Sequence, residues 1–93
     1  MDVELNQLRT QIDSIDEKLV ELLNERAYCV LEIGRHKQKN QRAVYEPQRE
    51  ELVMANVARC NHGPLPLEEL ATIYTAILAS MRRLQSPDML GRP

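Results

Sequence analysis

The sequence predicts an all-α protein with three helices per chain, one of them very long, assembled as an intertwined homodimer. Three observations predict this fold class. The first forty residues contain no proline and one glycine, Gly34. Apolar residues recur through them at steps of three and four, and two proline-containing breaks divide the rest of the chain into further helices. A chain of 93 residues fits one domain, which we expect over residues 1–87, followed by a flexible tail at 88–93.

The first helix is defined by an apolar seam, whose members are Leu5, Leu8, Ile12, Ile15, Leu19 and Leu22. The same spacing continues through Val30 and Ile33, so we expect one helix from about Glu4 to about Asn40. Such a helix is about 54 Å long, whereas a compact chain of this size has a diameter of roughly 30 Å. Part of the seam would lie uncovered on a monomer, which predicts that a second copy of the chain covers it.

Prolines mark the starts and ends of the other two helices. Pro47 suits the first turn of a second helix, since its missing N–H would have no partner there. That helix is expected to end at Asn61-His62-Gly63-Pro64, where glycine can adopt a left-handed conformation and proline blocks continuation. A third helix is expected to begin at Pro66 and to end before Pro87.

Composition excludes several classes of protein. The chain has 12 Lys and Arg against 14 Asp and Glu, so no positive field favours a nucleic-acid partner. No apolar run approaches the roughly 18 residues that span a bilayer, and Met1 does not begin a secretion signal. Two cysteines are too few for a disulfide framework. We therefore expect a cytoplasmic protein without membrane association.

The histidines and glycines give no sign of a metal or cofactor. His36 and His62 have no ligand spacing with each other or with either cysteine, and the sequence has no glycine-rich phosphate loop. We expect no metal ion and no cofactor.

Several charged side chains fall on faces predicted to be buried. On the long helix, Arg26 and Lys37 occupy seam positions eleven residues apart, so they face the same way about 16 Å apart along the axis. Arg9 lies at the edge of the seam near the N-terminus, where it can reach a partner chain. The second and third helices add further inward polar groups, namely Glu46, Arg49, Glu50 and Gln85.

These inward charges do not balance one another. Four cations oppose two carboxylates, and the excess of two positive charges predicts a site for a small dianion. Arginine suits forked contacts with a carboxylate, and lysine supplies a compact charge. The alternative is a set of internal ion pairs, for example of Arg49 with Glu50 or Glu46, together with a Lys37 that extends to water.

A set of short, distinct motifs is spread along all three predicted helices. They are Gln7-Leu8-Arg9, Ile12-Asp13, Leu22-Leu23-Asn24-Glu25-Arg26, Ile33-Gly34-Arg35-His36-Lys37, Val44-Tyr45-Glu46-Pro47-Gln48-Arg49-Glu50, Ile73-Tyr74 and Leu84-Gln85. Together they resemble the all-helical chorismate mutase family over about residues 4–86. The Gly63-Pro64-Leu65 loop is similar to that of the mutase domains fused to prephenate dehydratase or to the first enzyme of the shikimate pathway. On this resemblance, the tail is interpreted as part of a linker.

The resemblance implies an isomerase of the shikimate pathway that rearranges chorismate, a dicarboxylate, to prephenate in phenylalanine and tyrosine biosynthesis. It implies an intertwined dimer with two sites and no cofactor. Arg9 matches the arginine that completes the other subunit's site, and Arg26 matches the arginine that holds a substrate carboxylate. Lys37 matches the lysine that reaches the ether oxygen and a carboxylate of the substrate. Gln85 matches the residue that contacts the same ether oxygen together with the lysine.

The remaining matches concern the substrate's ring. Glu46 lies where the family often has Asp near the ring hydroxyl. Glu50 matches the glutamate that accepts a hydrogen bond from this hydroxyl, and Arg49 matches an arginine that supports the other site residues. Met81 departs from the pattern, because many relatives have Ser there to bind the ring carboxylate. The missing hydrogen bond is worth about 0.5 to 1.5 kcal/mol if nothing replaces it.

Three alternative functions remain open at this point. A related enzyme that eliminates pyruvate from isochorismate would use the same fold and anion site. A regulatory domain would bind chorismate or prephenate without turnover. A plain helical dimerisation module would be stabilised by Arg26→Met and Lys37→Met, because buried charges without a ligand are costly.

Overall fold

A computed structural model describes residues 2–91 as four helices. They are α1 (Val3–Lys39), α2 (Pro47–Cys60), α3 (Leu67–Leu84) and a single turn, α4 (Pro87–Leu90). The all-α prediction is confirmed, and the three predicted helices begin and end within about one residue of their predicted bounds, except that α3 ends at Leu84, two residues before the position preceding Pro87.

The long helix makes the chain elongated. The Cα atoms extend over 59 × 27 × 15 Å, with a radius of gyration of 16.9 Å, whereas a compact chain of this length has about 12 Å. The residues of the apolar seam are between 41% and 58% exposed. The N-terminal half of α1 is therefore an apolar surface that the single chain does not cover.

The packed part of the molecule is built around α3. Both α1 and α2 pack against α3, and the end of α3 meets the C-terminal half of α1 at Gly34. Among residues 2–91, the buried apolar side chains are Val30, Leu78 and Met81. So few buried residues give one chain a thin core, which fits the expectation that a partner adds to it.

The break between α2 and α3 forms a turn built by Asn61. Its amide nitrogen Nδ2 donates to the Leu65 carbonyl oxygen at 3.0 Å, and its Oδ1 accepts from the Gly63 backbone N–H at 3.1 Å. Gly63 has a φ of +73°, so its conformation is left-handed as expected, although it lies within the loop while Asn61 caps the helix.

The start of the tail forms a short helix that the sequence pattern does not predict. Ser86 caps α4 by accepting the Met89 backbone N–H, which gives Pro87–Leu90 a helical turn that apolar periodicity is too short to reveal. Leu90 approaches α1 at Gly34, where an added Cβ would lie 3.1 Å from a Leu90 methyl carbon. Arg92 and Pro93, also assigned to the tail, lie outside the described residues, and whether 88–93 is flexible stays a prediction.

No helix within residues 2–91 combines the length and the apolarity that crossing a membrane requires.

Candidate active site

A cavity of about 370 Å³ lies where the C-terminal half of α1 meets the start of α2 and the end of α3. Seven of the eight predicted site residues line this cavity, namely Arg26, Lys37, Glu46, Arg49, Glu50, Met81 and Gln85. Its apolar wall comes from Val30, Ile33, Val44, Val53 and Leu78, and it also includes Cys29 and Arg82. Three separate helices therefore bring the predicted polar groups to one place.

Lys37 is the most buried charged residue of this cavity. The residue is 7% exposed, and its ammonium nitrogen Nζ donates to the Val44 carbonyl oxygen at 2.9 Å and contacts the Glu46 carboxylate at 2.7 Å. The alternative in which Lys37 extends to water is therefore wrong. An ammonium has three N–H donors, so one donor is left for a ligand.

Glu46 is held in its charged form by this contact. The hydrogen bond and the charge of Lys37 lower the pKa of the Glu46 carboxyl below its ordinary value of 4.5. Burial opposes that shift, and the charges of Arg42 and Arg49 add to it. Since the Glu46 side chain is half-exposed, solvent screens these interactions.

Gln85 places an unsatisfied carboxamide in the site. The residue caps the C-terminus of α3 and is 9% exposed, and its Oε1 is buried without a hydrogen-bond partner among residues 2–91. A buried polar atom left unpaired costs about 1 to 3 kcal/mol. Rotation about the last side-chain bond exchanges the oxygen with the NH₂ group, so the carboxamide can offer either an acceptor or a donor to a ligand.

Gly34 allows the close packing behind Gln85. A Cβ at position 34 would lie 3.0 Å from the Gln85 Cγ atom and 3.1 Å from a Leu90 methyl carbon. These distances are shorter than an ordinary van der Waals contact. The absence of a side chain on α1 therefore lets the end of α3 approach the helix that carries Lys37.

Arg26 and Arg49 line the cavity without a carboxylate partner. Arg26 is half-buried and Arg49 is exposed, and neither forms a salt bridge within residues 2–91. Arg49 is therefore not the partner of Glu46 or Glu50, although both carboxylates do form internal ion pairs, with Lys37 and Arg82 respectively. Both guanidinium groups remain available for an anion.

The partner of Glu50 is Arg82, which the sequence analysis did not assign to the site. Its Nη1 donates to both Glu50 carboxylate oxygens, at 2.5 and 2.6 Å, and its guanidinium carbon lies 5.0 Å from the Tyr45 ring centroid. The hydrogen bond with Glu50 raises the pKa of Arg82. The position of Arg82 four residues after Leu78 and three before Gln85 is the helical spacing that places it on their face.

Met81 and Ser80 differ in the way that the helical spacing predicts. Met81 is buried against the cavity, and its thioether donates no hydrogen bond. Ser80 is exposed, and its hydroxyl oxygen accepts from Arg83 Nη2 at 3.1 Å. Ser80 therefore does not supply a hydroxyl at the position of Met81.

Arg9 is the predicted site residue that does not line the cavity. It is exposed on α1, seventeen residues before Arg26, which is about 26 Å along the helix axis. Even without Arg9, four cations and two carboxylates line the cavity. The excess of two positive charges inferred from the sequence is therefore present in one chain, but Arg82 contributes to it where Arg9 was expected.

Fold and cavity together define an all-helical protein with a polar, donor-rich site between its helices. The profile of the family described as chorismate mutase type II matches residues 8–86 of the chain. The chain therefore belongs to the type II chorismate mutase family.

Individual relatives agree with this assignment. A bifunctional chorismate mutase/prephenate dehydratase from Stutzerimonas stutzeri is 39% identical over 89 residues, which are 90% of this chain and 24% of that protein. The chain thus spans about a quarter of the length of such relatives.

Two solved structures have a similar fold. Chorismate mutase from Helicobacter pylori in complex with prephenate superposes with a TM-score of 0.88 at 29% identity, covering 99% of both chains. Chorismate mutase (Form II) from Thermus thermophilus superposes with a TM-score of 0.86 at 30% identity, and the match covers 88% of this chain and 93% of that one.

Proposed function

We propose that this chain catalyses the intramolecular rearrangement of chorismate to prephenate. The observation that carries the proposal is the surplus of hydrogen-bond donors in the cavity. Arg26 and Arg49 have no carboxylate partner within residues 2–91, Lys37 keeps one free N–H, and the lining carries two excess positive charges. Chorismate has two carboxylates, so its charge complements that of the lining.

The chemistry needs positioning and charge stabilisation. The ether C–O bond breaks while a C–C bond forms between the enolpyruvyl CH₂ group and the ring, so no atom enters or leaves. Arg26 would hold one carboxylate and fix the enolpyruvyl group over the ring. The spare donor of Lys37 and the NH₂ group of Gln85 would bind the ether oxygen as its negative charge grows.

We further propose that the functional unit is an intertwined homodimer in which Arg9 completes the partner's site. Three observations support this proposal. The apolar seam is uncovered in the single chain, the seam and Arg9 belong to the same half of α1, and Arg9 lies about 26 Å along the helix from the nearest site residue of its own chain, Arg26. A two-fold axis would bring one subunit's exposed half to the other's cavity.

Turnover of chorismate by the purified protein tests the proposed activity. We expect chorismate to disappear with prephenate as the product, at a rate that is flat between about pH 6 and 9, because a carboxamide does not titrate. Release of pyruvate from isochorismate would favour the eliminating enzyme. Calorimetric binding of prephenate without chorismate loss would favour a regulatory domain, and neither binding nor turnover would favour a dimerisation module.

Subunit complementation tests the role of Arg9. We expect Arg9→Ala and Lys37→Ala homodimers to be nearly inactive separately. After subunit exchange, a mixed dimer has one intact site, since Lys37 of one chain then meets Arg9 of the other. Random exchange at equal amounts should restore about a quarter of the wild-type activity per chain. Mixtures that stay as inactive as their components would contradict the shared site.

The wider context of the chain is also proposed. By its similarity to one part of bifunctional proteins, the mutase unit would act in phenylalanine and tyrosine biosynthesis. A cytoplasmic location, which the sequence predicts, stays a prediction.

A further inference from the structure

Arg82 is the charged residue of the cavity that neither the motifs nor the proposed chemistry uses. It lies on α3, next to Met81, and its side chain is 36% exposed. It lines both the cavity and a neighbouring groove between α2 and α3, together with Glu50 and Leu78. The pair Arg82–Glu50 therefore stands in the wall of the site, with one side toward the cavity.

The contact with Glu50 uses only part of the Arg82 guanidinium. A single nitrogen, Nη1, donates to both carboxylate oxygens. A guanidinium has five N–H donors, of which Nη1 carries two. The three N–H groups on Nη2 and Nε have no acceptor within residues 2–91. Arg82 can therefore hold Glu50 and bind a second anion at the same time.

The surroundings of Arg82 favour this second use. The adjacent cavity residue, Met81, offers no donor, and without Arg82 the excess positive charge of the lining would fall from two to one. The Arg82 guanidinium carbon lies over the Tyr45 ring, 5.0 Å from its centroid, so the aromatic ring adds a cation–π contact that helps to hold this cation in the wall of the cavity.

We propose that Arg82 is a further substrate-binding residue, which contacts a substrate carboxylate through N–H groups not engaged by Glu50. This inference rests on the proposed function, and it concerns the recognition of the dianion. It differs from a purely structural role, in which the Arg82–Glu50 pair only fastens α3 to α2. It also differs from a positioning role, in which Arg82 acts on the substrate only by orienting Glu50.

Arg83 provides a matched control. It follows Arg82 on the same helix, is exposed, and does not line the cavity. Arg82→Met and Arg83→Met each remove one positive charge, from neighbouring positions, and each replaces the arginine with the same unbranched apolar side chain. We expect Arg82→Met to raise KM for chorismate and to weaken calorimetric prephenate binding, each by about tenfold or more. Arg83→Met should change both by less than about twofold.

The Glu50→Gln background separates direct binding from positioning. If Arg82 touches the substrate, Arg82→Met raises KM and weakens prephenate binding in that background as well. If Arg82 acts only through the Glu50 carboxylate, its removal has little further effect there. Loss of the effect in the Glu50→Gln protein, or equal behaviour of the Arg82→Met and Arg83→Met variants, overturns the inference.

A milder variant keeps the inference testable if Arg82→Met fails to fold. Arg82→Lys retains the charge facing Glu50, but it has a single nitrogen where arginine has three. We expect a several-fold higher KM and weaker prephenate binding, with circular dichroism like that of the wild type. Wild-type KM and prephenate affinity in a folded Arg82→Lys protein would then overturn the inference.

Failure of the inference and failure of the proposed function give different results. Wild-type turnover with equal KM values for the Arg82→Met and Arg83→Met variants would retain the proposed function and reject the role of Arg82. Prephenate binding without wild-type turnover would reject the proposed function, and calorimetry on the variants would still decide the role of Arg82. A wild-type protein that neither binds prephenate nor turns over chorismate would reject both.

Discussion

The two halves of α1 follow the same helical spacing, but their surroundings differ. The N-terminal half presents the apolar seam, which the single chain leaves exposed. The C-terminal half carries Arg26 and Lys37 at equivalent positions and packs against α3, with Lys37 buried. One helix thus provides an apolar surface and then a charged one. The comparison shows that the residue type at seam positions separates an uncovered apolar surface from the lining of a cavity, for which we propose subunit association and substrate binding respectively.

The largest expected effect comes from a charge placed in the apolar seam. Ile15→Asp would put a carboxylate where two chains should meet, at a cost of several kcal/mol. We expect a monomer in sedimentation at micromolar concentration and loss of nearly all turnover. Thr10→Asp adds the same charge on the opposite side of α1 and should leave the dimer intact. An Ile15→Asp protein that sediments as a dimer would contradict the assignment of the N-terminal half.

In the C-terminal half, we expect the strongest effect from Lys37→Ala. Removal of a donor to a developing negative charge commonly lowers turnover by about 10²- to 10³-fold, so kcat should fall by at least that much. Lys39→Ala, at an exposed position two residues from Lys37 on α1, serves as the control and should stay within about twofold of the wild type. Near-normal kcat in the Lys37→Ala protein would remove Lys37 from the chemistry.

Gly34→Ala sharpens the comparison by changing the packing of α1 against the end of α3. Alanine adds about 0.5 to 1 kcal/mol of helix preference, while the Cβ displaces Gln85 and Leu90. We therefore expect a free energy of unfolding within about 1 kcal/mol of the wild type, but a several-fold lower kcat. Denaturant titration and kinetics measured together test this separation, and unchanged kcat would show that Gln85 tolerates displacement.

The smallest effect concerns pH. Because Lys37 lowers the pKa of Glu46 from its ordinary 4.5, their contact stabilises the fold above that pH, and the contribution is lost as pH falls through the lowered pKa. We expect wild type to exceed Glu46→Gln in stability at neutral pH, with the difference shrinking in acid below about 4.5. Thermal melts across this range measure the difference. A difference that grows in acid would contradict the sign of the shift.

The helices were predictable from the sequence because their signals are local. The unbroken spacing of α1 and the prolines at 47, 66 and 87 fix where each helix can begin or end. The α4 turn was not predicted, because a single turn depends on the Ser86 cap and on the contact of Leu90 with Gly34. Neither gives a periodic pattern.

The site was predictable as a set of residues but not as a set of pairs. Helical spacing shows which side chains share a face, and so it brought Lys37 and Gln85 toward one cavity. It does not show how two helices are rotated against each other. The contact of Glu50 with Arg82 and that of Glu46 with Lys37 depend on this rotation, so helical spacing alone left Arg49 as a possible partner of either carboxylate.

Continuity of α1 also makes helical phase a design constraint. Arg9 and Lys37 lie on the same uninterrupted helix, twenty-eight residues or about 42 Å apart. One inserted residue between them would turn Arg9 by about 100° relative to Lys37, whereas seven would nearly restore its direction and move it by about 10 Å. A change in the length of this helix therefore keeps the relative direction of Arg9 and Lys37 only in steps close to a whole number of turns, such as seven or eleven residues.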